Sequence, residues 1–184
     1  RDIGADDIFE QVFSAPELWT ARHGAAYAWK AYGAAATTAL GQLLADWSPR
    51  DTVLVSSSFA VAARLAEEAH GFRNTSVHLS PAVMFSYRQP PRWPGVSIPH
   101  GWPTWAKVLS AGLAERLALD PLVGDALAPA FRLAGLSPRR RLFSQFLHSP
   151  QRVAYLFPQW FGPAAEDWPR AGVHMGFPHV AALV

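Results

Sequence analysis

The chain contains no cysteine. Disulfides and thiolate metal sites are therefore excluded, and the redox compartment stays open. Lysine is almost absent, so arginine supplies most of the sixteen basic residues. The net charge is only +2, and Arg139-Arg140-Arg141 is the one basic run. A nucleic-acid footprint needs a charged stripe, so no nucleic-acid partner is expected, and the run reads as a solvated helix start. No apolar run reaches the roughly 18 residues of a membrane-spanning helix. None of G-x-G-x-x-G, G-x-x-x-x-G-K-[ST] or G-x-S-x-G occurs after a strand-like segment. That removes the dinucleotide fingerprint, the P-loop and the hydrolase elbow as readings. His100, His148, His174 and His179 lack a metal-ligand spacing such as H-x-x-x-H, so they read as structural or exposed and no metal is expected. Glu67 and Glu68 are adjacent on one helix and diverge, so they do not form a catalytic carboxylate pair.

Tryptophan and proline are plentiful instead, eight and sixteen in 184 residues of which half are hydrophobic. A chain of this size can bury one core. So many indole rings should line a core, a cleft or an interface. Prolines crowd the stretch Pro81 to Pro103, PAVMFSYRQPPRWPGVSIPHGWP, which shows neither helical nor alternating periodicity. Long irregular loops inside compact domains are usually functional, and Phe85, Tyr87, Trp93 and Trp102 make this one read as a lid or binding loop. A second proline-aromatic stretch, Arg152 to Pro178, reads as an elbow built to meet another domain.

Between these loops the pattern is regular. Residues Arg1 to Ala21 read as an amphipathic lead-in, with Ile8, Phe9, Val12 and Phe13 at helical spacing. Ala25 to Trp47 predicts a helix, with Tyr27, Ala31, Ala35, Ala39, Leu43 and Trp47 on one face. Thr52 to Ser56 is a continuous β-branched run, as in a strand covered on both faces. Ser57-Ser58 would cap a helix from Phe59 to His70, closed by Gly71, and Thr75 to Leu79 would be the next strand. Short connections then make these two strands parallel. Thr104 to Leu133 predicts one or two helices bearing Trp105, Val108, Leu109, Leu113, Leu117, Leu122, Val123 and Leu127, divided near Asp120-Pro121 and Ala128-Pro129 and capped by Gly135. A short helix from Ser137 to Phe146 and strands at Val153 to Phe157 and Val173 to Met175 complete the chain. The predicted class is α/β, a Rossmann-like parallel sheet with flanking helices.

Open parallel sheets bind ligands beyond the carboxyl ends of their strands, which here gather Ser57, Ser58, His78, Ser80 and Trp160. The serines suit a polar or anionic ligand at a helix N-terminus, or serve as a plain cap. His78 could meet a ligand hydroxyl, its ordinary pKa being near neutral, or lie satisfied inside the core. Asp167, before Trp168-Pro169, reads as a turn cap or as a catalytic carboxylate. Asn74-Thr75-Ser76 matches a glycosylation sequon but leads into a buried strand, so no glycan is expected.

The segments DTVLVSSSFAVAARLAEEAHG, TSVHLSPAVMFS, QPPRWPG, LFPQWFGPAAEDWP and HMGFP occur in this order. Together, from about Pro49 to Pro178, they resemble the N-terminal half of bacterial glycosyltransferases of the two-domain GT-B fold. The relatives are family-28 and family-1 enzymes of the sterol glucosyltransferase, macrolide glycosyltransferase and rhamnolipid rhamnosyltransferase types. The resemblance implies transfer of a hexose or deoxyhexose from a nucleotide diphosphate sugar to an apolar hydroxyl acceptor, with no cofactor beyond that co-substrate. It makes residues 1–178 a partial acceptor-binding domain without its first strands, and 179–184 the start of an interdomain linker. Ser57, Ser58, His78, Ser80, Met84, Trp93, Trp102 and Trp160 would contact the acceptor. Phe161, Asp167, Trp168 and Phe177 would face the C-terminal domain, which holds most of the donor and is not in this chain. The loop that usually activates the acceptor is not in it either, so the catalytic residue is unassigned and the piece alone is expected to be inactive. The implied location is the cytoplasm, with peripheral contact at the inner membrane if the acceptor is a lipid. Lacking its usual neighbour, the edge of strand 52–56 is expected to self-associate. The competing expectation is a small-molecule binding module that keeps the pocket and has no chemistry; a nucleotide-dependent oxidoreductase is disfavoured by the missing glycine fingerprint.

Overall fold

The computed structural model describes residues 20–90 and 97–178. The lead-in before residue 20, Trp93 and the linker at 179–184 lie outside them. In chain order the elements are α1 (Ala21–Asp46), β1 (Val53–Ser57), α2 (Val61–His70), β2 (Arg73–His78), α3 (Thr104–Ala114), α4 (Asp120–Leu133), β3 (Val153–Tyr155) and β4 (Gly172–His174). A 3-10 turn at Pro81–Val83 and π turns at Glu115–Leu119 and Leu142–Phe146 stand between them. All strand pairings are parallel, in the order β1-β2-β3-β4. The α/β, Rossmann-like class holds.

Strand order decides where the helices go. Each successive strand is added on the same side of the last, and right-handed crossovers then put every connecting helix on one face. That inner face carries Leu54, Ser56, Asn74, Ser76 and His78, the last four buried. The outer face carries Val53, Val55 and Val173, all exposed. The β-branched run at Thr52 to Ser56 is therefore covered on one face, not two.

The core lies between sheet and helices, where Leu40, Leu65, Phe72, Val123, Leu127, Phe131 and Leu142 are almost fully buried. Helix α1 turns Gly33, Ala36 and Leu40 inward, and Trp47 ends exposed, so its buried stripe is displaced from the Tyr27-to-Trp47 face. The cause is the crossing with α4: a Cβ on Gly33 would stand 1.9 Å from the Ala126 carbonyl oxygen. Only glycine permits that approach.

The helical run from Thr104 to Leu133 changes near Asp120-Pro121, where α4 begins, but is not divided at Ala128-Pro129. The wider turn at Glu115–Leu119 precedes Pro121, which falls in the first turn of α4, where a missing N–H costs little. Pro129 lies within α4 on its exposed side. The segment buries Ala111, Glu115, Val123, Leu127, Ala130 and Phe131, whereas Trp105, Val108, Leu109, Leu113 and Leu117 form an exposed stripe. Gly71 and Gly135 close α2 and α4 in the left-handed conformation, as their positions predict. Of the stretch from Ser137 to Phe146 only Leu142–Phe146 is helical, as a π turn.

Candidate functional site

At the carboxyl ends of β1 and β2 four groups form one hydrogen-bonded line. The hydroxyl of Ser58 lies 2.8 Å from Nδ1 of His78. His78 Nε2 lies 3.0 Å from Nδ1 of His148, and His148 Nε2 lies 3.0 Å from the Phe143 carbonyl oxygen. Both rings are buried and meet edge to face, while Ser58 is half-buried. Burial, followed by the nearness of His148, pushes His78 down to about 3. Burial pushes His148 down to about 4; the bond to Phe143 opposes this and the charge of Arg64 adds to it.

Local backbone explains why Ser58 is available. Helix α2 begins at Val61 behind Ala60, and no side chain caps it. The hydroxyl of Ser58 turns across to His78 instead, so it is not the helix cap its position suggests. Ser57 is exposed.

Beneath this line a second network fixes the strands and the turn carrying His148. The Ser56 hydroxyl donates to Asn74 (2.9 Å), and the Asn74 amide donates to Glu67 (3.1 Å). Arg64 spans Glu67 at 3.2 Å and Glu68 at 2.6 Å, so the two carboxylates that diverge on α2 are joined by one guanidinium. Arg64 also donates to the Phe146 carbonyl (2.9 Å), and the Ser149 hydroxyl donates to Glu67 (2.6 Å). The residues on either side of His148 are thus bonded to α2 and β2. Hydrogen-bonded polar groups of this kind can be buried without the desolvation penalty of orphans.

The proline-rich loop is clamped at its start. Asp167 accepts hydrogen bonds from the Ser86 hydroxyl (2.6 Å) and from the N–H groups of Tyr87 (2.7 Å) and Arg88 (3.2 Å). Arg88 pairs with Glu166 at 2.8 Å. The Tyr87 hydroxyl donates to Glu115, which also accepts from the Ser144 N–H and hydroxyl. Burial, reinforced by Glu115, pushes Tyr87 up to about 12. Asp167 therefore ties the start of the proline-rich loop to the stretch after β3, in the manner of a turn cap.

The other predicted residues scatter. Ser80 accepts from the Ala82 N–H and caps the 3-10 turn. Met84 is buried against Tyr155 and Phe157, with Trp168 packed on the same cluster. Trp102 is exposed. Trp160, 79% exposed, joins Phe161 and Phe177 in an aromatic patch whose ring centres lie 5.3 to 6.1 Å apart. The structure thus brings together Ser58 and His78, and separately Trp160, Phe161 and Phe177.

No family model, curated protein or solved structure matches the chain. The site rests on its own geometry.

Sequence reasoning missed His148, Glu115 and Tyr87 as members of polar networks. His148 sits in FLHSP with no partner in its own segment, so only the placement of a turn some 70 residues from His78 reveals the contact. Glu115, inside an apolar helical stretch, offered a signal: a lone carboxylate on a buried face needs donors. Among the described residues no group of three His, Asp or Glu could hold a metal ion, and no helix is long and apolar enough to cross a membrane.

Proposed function

We propose that this chain is the acceptor-binding part of a glycosyltransferase that moves a hexose or deoxyhexose from a nucleotide diphosphate sugar to an apolar hydroxyl acceptor. The observation that carries the reading is the Ser58–His78 pair, set at the carboxyl ends of two adjacent parallel strands. That is where open α/β sheets bind their ligands. The sequence resemblance supports it, as does the anchored lid beginning at Met84. In this reading the nucleotide sugar is held mainly by a second domain, which Trp160, Phe161 and Phe177 would meet. A lipid acceptor would place the protein in the cytoplasm at the inner membrane surface, and the exposed stripe on α3 supports such contact.

A second reading, a binding module without chemistry, is favoured by one observation. His78, pushed down to about 3, is too weak a base to serve near neutral pH, where catalytic bases titrate close to the working pH. Titration of the intrinsic tryptophan fluorescence with 3-hydroxydecanoate and with UDP-glucose tests the acceptor assignment. The hydroxylated fatty acid is expected to bind and UDP-glucose is not. Tight binding of UDP-glucose or NAD with no response to the fatty acid would overturn it.

A further inference from the structure

The line from Phe143 to Ser58 has a direction, and the direction fixes what the site can recognise. A carbonyl oxygen can only accept, so His148 must carry its proton on Nε2. In a neutral ring Nδ1 is then a lone pair, and it lies 3.0 Å from His78 Nε2, which must be the donor. Nδ1 of His78 is left as an acceptor, so the Ser58 hydroxyl, 2.8 Å away, must donate to it. The 3.0 Å contact between the rings excludes protons on both facing nitrogens, so the two cannot both be charged, and burial favours the neutral form of each. The charged groups nearby favour this state: Arg64 acts on His148 unfavourably for a second cation, and its carboxylate partners Glu67 and Glu68 are taken up by Arg64 itself. Tyr155, stacked 6.1 Å from His78, is uncharged, its hydroxyl pushed up to about 12 by burial.

We infer that Ser58, wired through His78 and His148, is an acceptor-only contact that selects a ligand hydroxyl or ammonium group and rejects ether, carbonyl and carboxylate oxygens. Its single proton is committed inward, and only lone pairs remain for a ligand. An oxygen without hydrogen placed there meets lone pairs with lone pairs. His148 touches no ligand; it is a positioning residue that holds the tautomer of His78. This deepens the acceptor reading above and rests on it: the same Ser58–His78 pair becomes the element that distinguishes a free alcohol from its alkylated or oxidised counterpart.

The wiring can be read without a ligand. In a ¹⁵N-histidine-labelled sample at pH 7, two-bond ¹H–¹⁵N spectra should show both His78 and His148 with the proton on Nε2. Binding is then compared for 1-octanol, its isosteric ether 1-methoxyheptane, and octanoate. Octanol is expected to bind about tenfold or more tightly than either, because an oxygen without hydrogen leaves its own and the Ser58 lone pairs unpaired. Ser58→Ala should erase that preference. His148→Phe should release His78 to the Nδ1–H tautomer and weaken the preference, and His148→Gln, which can accept from His78 and donate to Phe143, should restore both. An Nδ1–H tautomer of His78 in the unsubstituted protein overturns the proposal. Equal affinity for octanol and the ether also overturns it, while leaving the acceptor reading standing. If neither binds, the acceptor reading falls and takes the proposal with it. Should His148→Phe not fold, the tautomer of the unsubstituted protein still decides.

Discussion

His78 and His148 stay neutral in the fold, and this couples folding to pH. In the unfolded chain both rings take the ordinary value near 6.5; in the fold they lie near 3 and 4. Between about pH 6.5 and pH 4 the unfolded chain therefore binds more protons, so stability must fall as pH falls through that window. Each ring contributes up to about 1.4 kcal/mol per pH unit, and because the two touch they titrate as a pair. Urea midpoints measured from pH 7.5 to pH 4.5 should stay level down to about pH 6.5 and then decline, before most carboxylates begin to protonate. His148→Gln should roughly halve the slope. A flat profile over this range would show that the rings titrate normally in the fold. Legibility differs sharply between the two residues. His78 lies near the end of a short strand-like segment bounded by Gly71 and Pro81, so its place at a strand end could be read directly. His148 could not be found this way, since its partner is set by how the Leu142–Phe146 turn docks on β2, a contact no local pattern encodes.

Helices α1 and α4 meet through Gly33, which turns a nominally weak helix residue into a requirement. Gly33→Ala should gain roughly 1 kcal/mol of helix propensity. It would also drive a Cβ to 1.9 Å from the Ala126 oxygen and 2.7 Å from its carbonyl carbon, both backbone atoms that cannot swing aside. Overpacking of this kind costs about 1–3 kcal/mol or more, so the net effect should be destabilising. Gly41 is the internal control on the same helix. Its nearest neighbour is the Leu133 methyl at 3.9 Å, so Gly41→Ala should stabilise by about 0.5–1 kcal/mol. Opposite signs in chemical denaturation would confirm the crossing, and equal signs would place it elsewhere. The β1-α2-β2 unit was legible because strand, helix and Gly71 each carry their own local signal. The buried face of α1 was not, because an alanine-rich helix has no strong apolar stripe and its orientation is chosen by the one place where α4 can approach. Of the prolines in the α3–α4 run, Pro121 marks the start of α4, where its missing N–H costs little, whereas Pro129 faces solvent inside α4 and does not end it.

Adding every strand on one side leaves the molecule one-sided. The helices cover the inner face, while the outer face presents Val53, Val55 (74% exposed), Val173 and Met175. Among the described residues β1 pairs with β2 alone, so its other side carries unpaired N–H and C=O groups. An apolar edge of this kind is a template for a second chain. Sequence could supply the strand and its hydrophobicity, but a β-branched run reads the same whether one face is covered or both; only the strand order separates the cases. The expected outcome is self-association through β1, with the mass from light scattering rising above 20.1 kDa as concentration increases. Val55→Lys places a charge on the exposed face of the edge strand without touching the core, so it should return the protein to a monomer that still unfolds cooperatively in urea. A monomer at every concentration in the unsubstituted protein would show that the edge is protected. Association that survives Val55→Lys would shift attention to the other exposed apolar surfaces, the α3 stripe and the patch of Trp160, Phe161 and Phe177. The two results are separable because Val55 lies on the outer face of β1, and those surfaces belong to a helix and to the loops after β3 and β4.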